Sequence, residues 1–239
     1  MTDLQKRYEE LKKQNFPDGE RIKFIVDLGS SDEIEYHYKL ICKYRDEGTN
    51  LNLSGSFYKH DKEGLEFLFT VLDNEKDENL KVFTAYLMAE TLSKLRHRDF
   101  YVLFCSRLIQ IMTSLIETKD ASLRQKIIIA LGWIGSSNEI DILTKQMSED
   151  KDSFCRAWSA SSLMQLSFHG VEKELLQEKT KSYFASTIAV ETDLHACGIM
   201  IEAAGILFGK KWVSASAVED VDVEKIEKAR KLAVRFLNK

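Results

Sequence analysis

Apolar residues recur at intervals of three and four along most of the chain, which is the spacing of one face of an α helix. This spacing predicts one short helix before Pro17, a second over residues 21–28 and a third over residues 33–45. From residue 61 onward it predicts repeated helices separated by short polar turns. Strand-like alternation is nearly absent, and Pro17 is the only proline in the chain, as expected where helix interiors dominate.

The stretch from Gly48 to Phe57 breaks this pattern. It is rich in glycine, asparagine and serine and has no helical period. Such a composition is typical of irregular connections, because these residues favour turns over helix interiors. The sequence therefore predicts a loop over residues 48–60.

An internal repeat is visible in the helical part of the chain. Its best copy runs from Leu123 to Gly135 and reads LRQKIIIALGWIG. A second copy begins at Cys155, and poorer copies begin at Leu80 and Leu194, so that the copies start at the irregular spacings of 43, 32 and 39 residues. The turns before the copies at Leu80, Leu123 and Cys155 are acidic, which suits the N-terminal end of the helix that follows.

The best copy resembles the second-helix signature of HEAT and HEAT-like (PBS-lyase-type) repeats: an apolar residue and an arginine, then small or apolar pairs, then Ala-Leu-Gly. It departs from that signature at Ile127 and Ile128, which replace the usual alanines. The resemblance implies an all-α fold, a right-handed α-α superhelix (solenoid) of HEAT-like helical hairpins with about 11 to 12 helices.

We expect one solenoid domain over residues 1–239. Small residues such as Gly132 would let neighbouring helices approach closely, and Leu131, Leu163 and Ile134 would fill the seam between helix pairs. The expected parts of the domain are an N-terminal helical cap (1–47), the loop (48–60), HEAT-like repeats (61–210) and a C-terminal capping helix (219–239).

The resemblance also indicates a contact surface, because the second helices of HEAT repeats line the concave side of the stack. The candidate binding residues lie three, six and ten positions after the start of the two best copies: Lys126, Ile129, Trp133, Trp158, Ser161 and Gln165. Two tryptophans on such a stripe are typical of a binding hot spot. The alternative is that neighbouring helices cover them as plain core.

Arg124 and Arg156 occupy the signature's arginine position. The resemblance implies that each pairs with a turn carboxylate of the neighbouring repeat and so has a structural role. Contact with a ligand is the alternative.

Composition narrows the class of function. The net charge of −4 argues against a protein that grips many nucleic-acid phosphates. The N-terminal residues lack the apolar core of a secretory signal, so we expect a cytoplasmic protein with no membrane segment and with free thiols. The five histidines show no metal-ligand spacing, and no catalytic residues or cofactor are predicted.

The leading hypothesis is a non-enzymatic protein-protein interaction scaffold that binds a protein partner on its concave face. An inhibitor or immunity-type protein that occludes a toxin or an enzyme is one form of it. Two enzymatic alternatives share the repeat, a HEAT-like DNA glycosylase for alkylated bases and a bilin-lyase-like protein, but a fold analogy carries little functional weight. A structural subunit whose tryptophan stripe is buried in a homo-oligomer is a third alternative.

Overall fold

A computed structural model describes residues 2–48 and 51–239. Every regular element in these residues is helical, which confirms the all-α fold class. They form two short 3₁₀ helices, Leu53–His60 and Ser137–Glu139, and thirteen α helices. The α helices are α1 (Asp3–Lys13), α2 (Asp18–Gly29), α3 (Ile34–Asp46), α4 (Asp61–Asn74), α5 (Glu78–Lys94), α6 (Tyr101–Leu115), α7 (Ala121–Ile134), α8 (Ile140–Glu149), α9 (Ser153–Phe168), α10 (Lys173–Val190), α11 (Leu194–Leu207), α12 (Ala215–Glu219) and α13 (Val223–Leu237).

The chain divides into two compact units, Met1–Val102 and Leu103–Lys239. The described residues hold thirteen α helices against the 11 to 12 expected. The five-residue helix α12 is one of the additional elements, in a segment to which the apolar pattern assigned no helix.

In the first unit, the three predicted helices before residue 48 are present as α1, α2 and α3. Thr2 caps α1: its hydroxyl accepts a bond from the Gln5 amide, and the Gln5 side chain accepts one from the Thr2 amide. The buried hydroxyls of Tyr8 in α1 and Tyr44 in α3 lie 2.9 Å apart and link the two helices.

The predicted loop over residues 48–60 is wrong for its second half, because Leu53–His60 forms a 3₁₀ helix. This helix packs against α2, α3, α4 and α5. Leu53 and Phe57 are four residues apart and both are buried, at 4% and 0% exposed. Their apolar contacts offset the poor helix propensity of the glycine and serines around them. Thr49 and Asn50 lie outside the described residues.

In the second unit, α7, α9 and α11 are the second helices of successive hairpins, and they stack in solenoid order: α7 packs against α9, and α9 against α11. The first helices follow the same order, with α8 packed on α10. At the end of the chain, α13 packs against both α10 and α11 and covers this last hairpin.

The close contact between α7 and α9 depends on Gly132. A Cβ at this position would lie 2.7 Å from both the Cβ and the Oγ of Ser162. Because the two helices are this close, the Ser162 hydroxyl donates a hydrogen bond to the Ile128 carbonyl at 2.9 Å. Leu131, Leu163 and Ile134, predicted to fill the seam, are all at most 4% exposed. The close approach expected at Gly132 is confirmed, and the burial of the three apolar residues agrees with the seam that was expected of them.

Candidate functional site

Three aspartates set the register of the second helices in the second unit. The Asp120 carboxylate accepts a bond from the Leu123 amide at 3.3 Å, Asp152 from Cys155 at 2.8 Å, and Asp193 from Ala196 at 3.0 Å. In each case the donor is three residues after the cap, and the negative charge lies at the positive end of the helix dipole. Corresponding positions on α7, α9 and α11 can therefore be counted from these caps.

The signature arginines connect each turn to the next one. Arg124 donates from Nε and Nη2 to the two carboxylate oxygens of Asp150, both at 2.8 Å, and from Nη1 to the Thr118 carbonyl at 2.8 Å. Arg156 repeats the geometry one hairpin later. It donates to Glu191 at 2.7 and 2.8 Å and to the Asp150 carbonyl at 2.8 Å. Such paired bonds match the planar guanidinium to the carboxylate.

These hydrogen bonds join both arginines to other groups of the same chain. The hydrogen bond to Asp150 raises the pKa of Arg124, and that to Glu191 raises the pKa of Arg156. Burial alone would raise the pKa of Glu191, but hydrogen bonds from Arg156 and from the Asp193 amide hold it below its ordinary value. All three charges are thus retained at neutral pH, and the three Arg156 bonds leave it little capacity for a ligand.

The six predicted binding residues, named here the tryptophan stripe, lie on α7 and α9: Lys126, Ile129, Trp133, Trp158, Ser161 and Gln165. All six are half-buried, whereas their neighbours Ile128, Leu131 and Leu163 are fully buried. Positions three, six and ten residues into a helix share one face. Because α7 packs directly against α9, the two halves of the stripe lie on adjacent helices with the same orientation relative to their caps.

The copy predicted to begin at Leu194 is displaced by two residues from that start. Asp193 is the cap, so the copy begins at Ala196 rather than Leu194. The positions that correspond to the stripe on α11 are Ile199, Glu202 and Ile206, which the sequence analysis missed. Ile199 and Glu202 are half-buried, and Ile206 is 43% exposed. Aligning the acidic turn Glu191-Thr192-Asp193 with the two earlier turns would have found them.

In the first unit, α5 carries a similar arrangement. Asp77 caps the helix by accepting a bond from the Leu80 amide at 2.7 Å. The same offsets then give Phe83, Tyr86 and Glu90, which line an open cavity of about 300 Å³. The guanidinium of Arg45 lies 4.6 Å from the centroid of the Phe83 ring, on the wall of this cavity.

A buried histidine pair joins α3 to the 3₁₀ helix of the first unit. His37 donates from Nε2 to the Leu53 carbonyl at 2.9 Å, and its Nδ1 lies 2.8 Å from Nε2 of His60. His37 is 0% exposed and His60 6%. Burial lowers the pKa of His37 to about 4 and also lowers that of His60. The described residues contain no cluster of three potential metal ligands around this pair or elsewhere.

The helix pairing, the capped acidic turns and the repeated arginine contacts agree with a comparison of the sequence with protein-family models. A model described as HEAT repeats matches residues 65–164. This match is consistent with a HEAT-repeat family. HEAT repeats generally serve as protein-interaction scaffolds. Neither the curated proteins nor the solved structures that were compared include a match to the chain.

The match extends from α4, through the best copy of the repeat on α7, into the C-terminal part of α9. It therefore includes five residues of the tryptophan stripe and ends at Met164, one residue before Gln165. Within the described residues, none of the helices combines the length and apolar character needed to cross a bilayer.

Proposed function

We propose that the protein is a non-enzymatic interaction scaffold and that its tryptophan stripe binds a protein partner. The observation that carries the proposal is the placement of Trp133 and Trp158 on adjacent second helices, both half-buried rather than enclosed in the core. A tryptophan already held by packing loses little side-chain entropy on binding and still offers a large apolar area. In HEAT repeats this face is the concave one.

The surroundings of the stripe support binding rather than catalysis. Its members offer one ammonium group, one hydroxyl, one amide and three large apolar side chains. The nearby arginines, Arg124 and Arg156, are held by Asp150 and Glu191. Partner recognition would therefore rest on apolar burial with a few polar contacts, an arrangement typical of interface centres.

The test compares the wild type with a Trp133→Ala, Trp158→Ala variant in affinity capture from a nuclease-treated extract of the source organism. A Phe168→Ala, Tyr183→Ala variant is the matched control, since these aromatic residues are 62% and 47% exposed and lie outside the stripe. We expect a protein that is retained by the wild type and the control and lost by the tryptophan variant. Equal retention by all three proteins contradicts the proposal.

A photo-crosslinking amino acid provides a second, direct readout. Placed at Ser161, in the middle of the stripe, it should form a covalent adduct with the partner, and placed at Tyr183 it should not. An adduct with the mass of two copies of this chain would assign the stripe to a homo-oligomer instead. Adduct formation from Tyr183 alone would place the partner on another face.

The finer form of the proposal is an inhibitor or immunity-type protein in the cytoplasm that occludes an enzyme or a toxin. Occlusion requires only a complementary surface, and the stripe supplies one without any reactive group. If the captured partner is an enzyme or a toxin, one equivalent of the wild-type protein should abolish its activity and the tryptophan variant should not. If the partner keeps its activity when saturated with the wild-type protein, the inhibitor form is excluded. The interaction scaffold then remains as the proposed function.

A further inference from the structure

The segment after α11 folds back onto the end of that helix. Gly209 adopts a left-handed backbone conformation, with φ of +66°, which reverses the chain. The Lys210 amide then donates to the Gly205 carbonyl at 2.7 Å. Ser214 ends the segment by capping α12, where its hydroxyl accepts a bond from the Ala217 amide at 3.3 Å. Residues 210–214 are therefore anchored at both ends.

Trp212 lies in the middle of this anchored segment. Its ring packs against Phe236 of α13, with the two centroids 5.5 Å apart. Trp212 also contributes to two open depressions of about 370 and 360 Å³. Glu202 and Ile206 of α11 line the first, and Lys228 and Leu232 of α13 line the second. Because it lines both depressions, the Trp212 indole can contact a partner's side chain that enters either one.

The apolar side chains around Trp212 are incompletely covered. Ile206 is 43% exposed and Leu232 is 47% exposed. Together with the indole, they offer apolar contact area on both sides of residues 210–214. We call this surface the Trp212 patch and define it by six residues: Ile206, Lys210, Lys211, Trp212, Lys228 and Leu232.

Four lysines and one carboxylate line the two depressions, in a chain whose net charge is −4. Three further carboxylates, Asp222, Asp220 and Glu224, lie near Lys225 and raise its pKa. The described residues contain no ion-pair partner for Lys211 or Lys228, and both side chains are exposed. The ammonium of Lys210 lies 5.0 Å from the centroid of the Phe236 ring. Lys225, which also lines the second depression, is paired with Asp222 at 2.7 Å. Glu202 is the single carboxylate that lines either depression.

We propose that the Trp212 patch binds an acidic segment of the partner protein, which places an apolar or aromatic side chain beside Trp212. The lysines complement carboxylates on the segment, while the indole, Ile206 and Leu232 bury its apolar side chain. A simple anion would satisfy the lysines but leave the apolar area exposed. The inference rests on the proposed function, since Glu202 and Ile206 continue the tryptophan stripe onto α11.

The test uses a short fluorescein-labelled peptide with several glutamates on each side of one phenylalanine. Two control peptides replace the phenylalanine by glycine or all glutamates by lysine. Fluorescence anisotropy should show binding of the acidic phenylalanine peptide, weaker at higher salt, and clearly weaker binding of both controls. A Lys211→Glu, Lys228→Glu variant should lower the affinity by about tenfold. Its matched control is Lys119→Glu, Lys151→Glu, which changes two exposed lysines in inter-helix turns and should bind like the wild type.

Three outcomes would overturn the inference: no binding of the acidic peptide at millimolar concentration, equal binding by the Lys211→Glu, Lys228→Glu variant, or equal binding of the glycine peptide, which would indicate a simple anion site. Circular dichroism and thermal melting establish that each variant is folded. The Trp133→Ala, Trp158→Ala variant should still bind the peptide. Failure of the patch is therefore measured separately from failure of the stripe, which partner capture reports.

Discussion

Arg156 of α9 forms a bidentate ion pair with the buried Glu191 carboxylate in the turn that precedes α11. Arg156 Nε lies 2.7 Å from Oε2 of Glu191, and Nη2 lies 2.8 Å from Oε1. Glu191 is only 2% exposed, and its Oε1 also accepts a bond from the Asp193 amide at 3.0 Å. The pair therefore holds in place the turn whose aspartate caps the next helix.

Removing the arginine should destabilise the protein strongly. Arg156→Ala leaves the Glu191 carboxylate buried without its cation, and we expect a loss of about 3 to 5 kcal/mol in the free energy of unfolding. Urea titration followed by circular dichroism measures it, with Arg235→Ala, an exposed arginine on α13, as the control. Replacing both partners, Arg156→Met with Glu191→Leu, should cost less than Arg156→Ala alone. If Arg156→Ala lowers the free energy of unfolding no more than Arg235→Ala does, the ion pair does not stabilise the fold.

The histidine pair should make stability depend on pH. The pKa of His37 is lowered by burial from 6.5 to about 4 in the folded protein. Below pH 6.5 the unfolded chain binds a proton at His37 that the folded chain does not, so the free energy of unfolding falls as the pH falls. The loss approaches about 3 kcal/mol near pH 4, at roughly 1.4 kcal/mol per pH unit, and grows no further below it.

Urea titrations between pH 7 and pH 4.5 measure this dependence. His37→Gln should show a shallower slope than the wild type, whatever its stability at pH 7. His97→Gln, at an exposed histidine of the same unit, is the matched control for replacing a histidine by glutamine. Parallel slopes for the wild type and His37→Gln would show that His37 binds protons alike in the folded and the unfolded chain, which contradicts the prediction.

Gly132 should be coupled energetically to Ser162. In Gly132→Ala the new methyl group collides with the Ser162 side chain, and we expect a loss of about 1 to 3 kcal/mol despite the better helix propensity of alanine. Ser162→Gly removes the Cβ and the Oγ but leaves the Cα of residue 162 at 2.8 Å, so it should relieve part of the collision. The double variant should therefore be more stable than the sum of the two single changes predicts. Thermal and urea unfolding of the four proteins give the coupling energy, and strict additivity would show that α7 and α9 can move apart freely.

The four cysteines should differ in their reactivity toward a thiol reagent. Burial raises the pKa of Cys42, Cys155 and Cys197, that of Cys197 to about 11. Cys42 is half-buried and should be modified first, while Cys155 and Cys197, both 0% exposed, should react only as fast as the protein opens. Mass spectrometry of timed samples at pH 7.5, compared with samples in urea, checks the order. Rapid labelling of Cys155 in the folded protein would contradict it.

The helices and their packing could be predicted from the sequence wherever local and distant signals agree. The stretch around Gly132 has a helical period and small residues at the contact, and the structure places it as predicted. The segment Leu53–His60 could not be predicted in this way, because its glycine and serines indicate a loop while the burial of Leu53 and Phe57 depends on helices elsewhere in the chain.

The candidate site, too, could be predicted from the sequence only in part. The spacing after Leu123 and Cys155 was enough to select half-buried positions on α7 and α9. It did not select the partner of Arg124, because the turn 148–152 offers three carboxylates and only the folded backbone brings Asp150 to the guanidinium. Trp212 gave no periodic signal at all, since its position follows from the chain reversal at Gly209.

The arginine contacts of the second unit have a direction along the chain. Arg124 binds a carboxylate 26 residues after it, and Arg156 one 35 residues after it. During synthesis, neither arginine can form its ion pair until the following turn has emerged from the ribosome. A chain that stops before residue 191 leaves Arg156 without its carboxylate near the C-terminal end. A chain that starts after residue 124 leaves the Asp150 carboxylate without its arginine near the N-terminal end. The two kinds of truncation should consequently expose opposite charges and differ in what they attract before folding is complete.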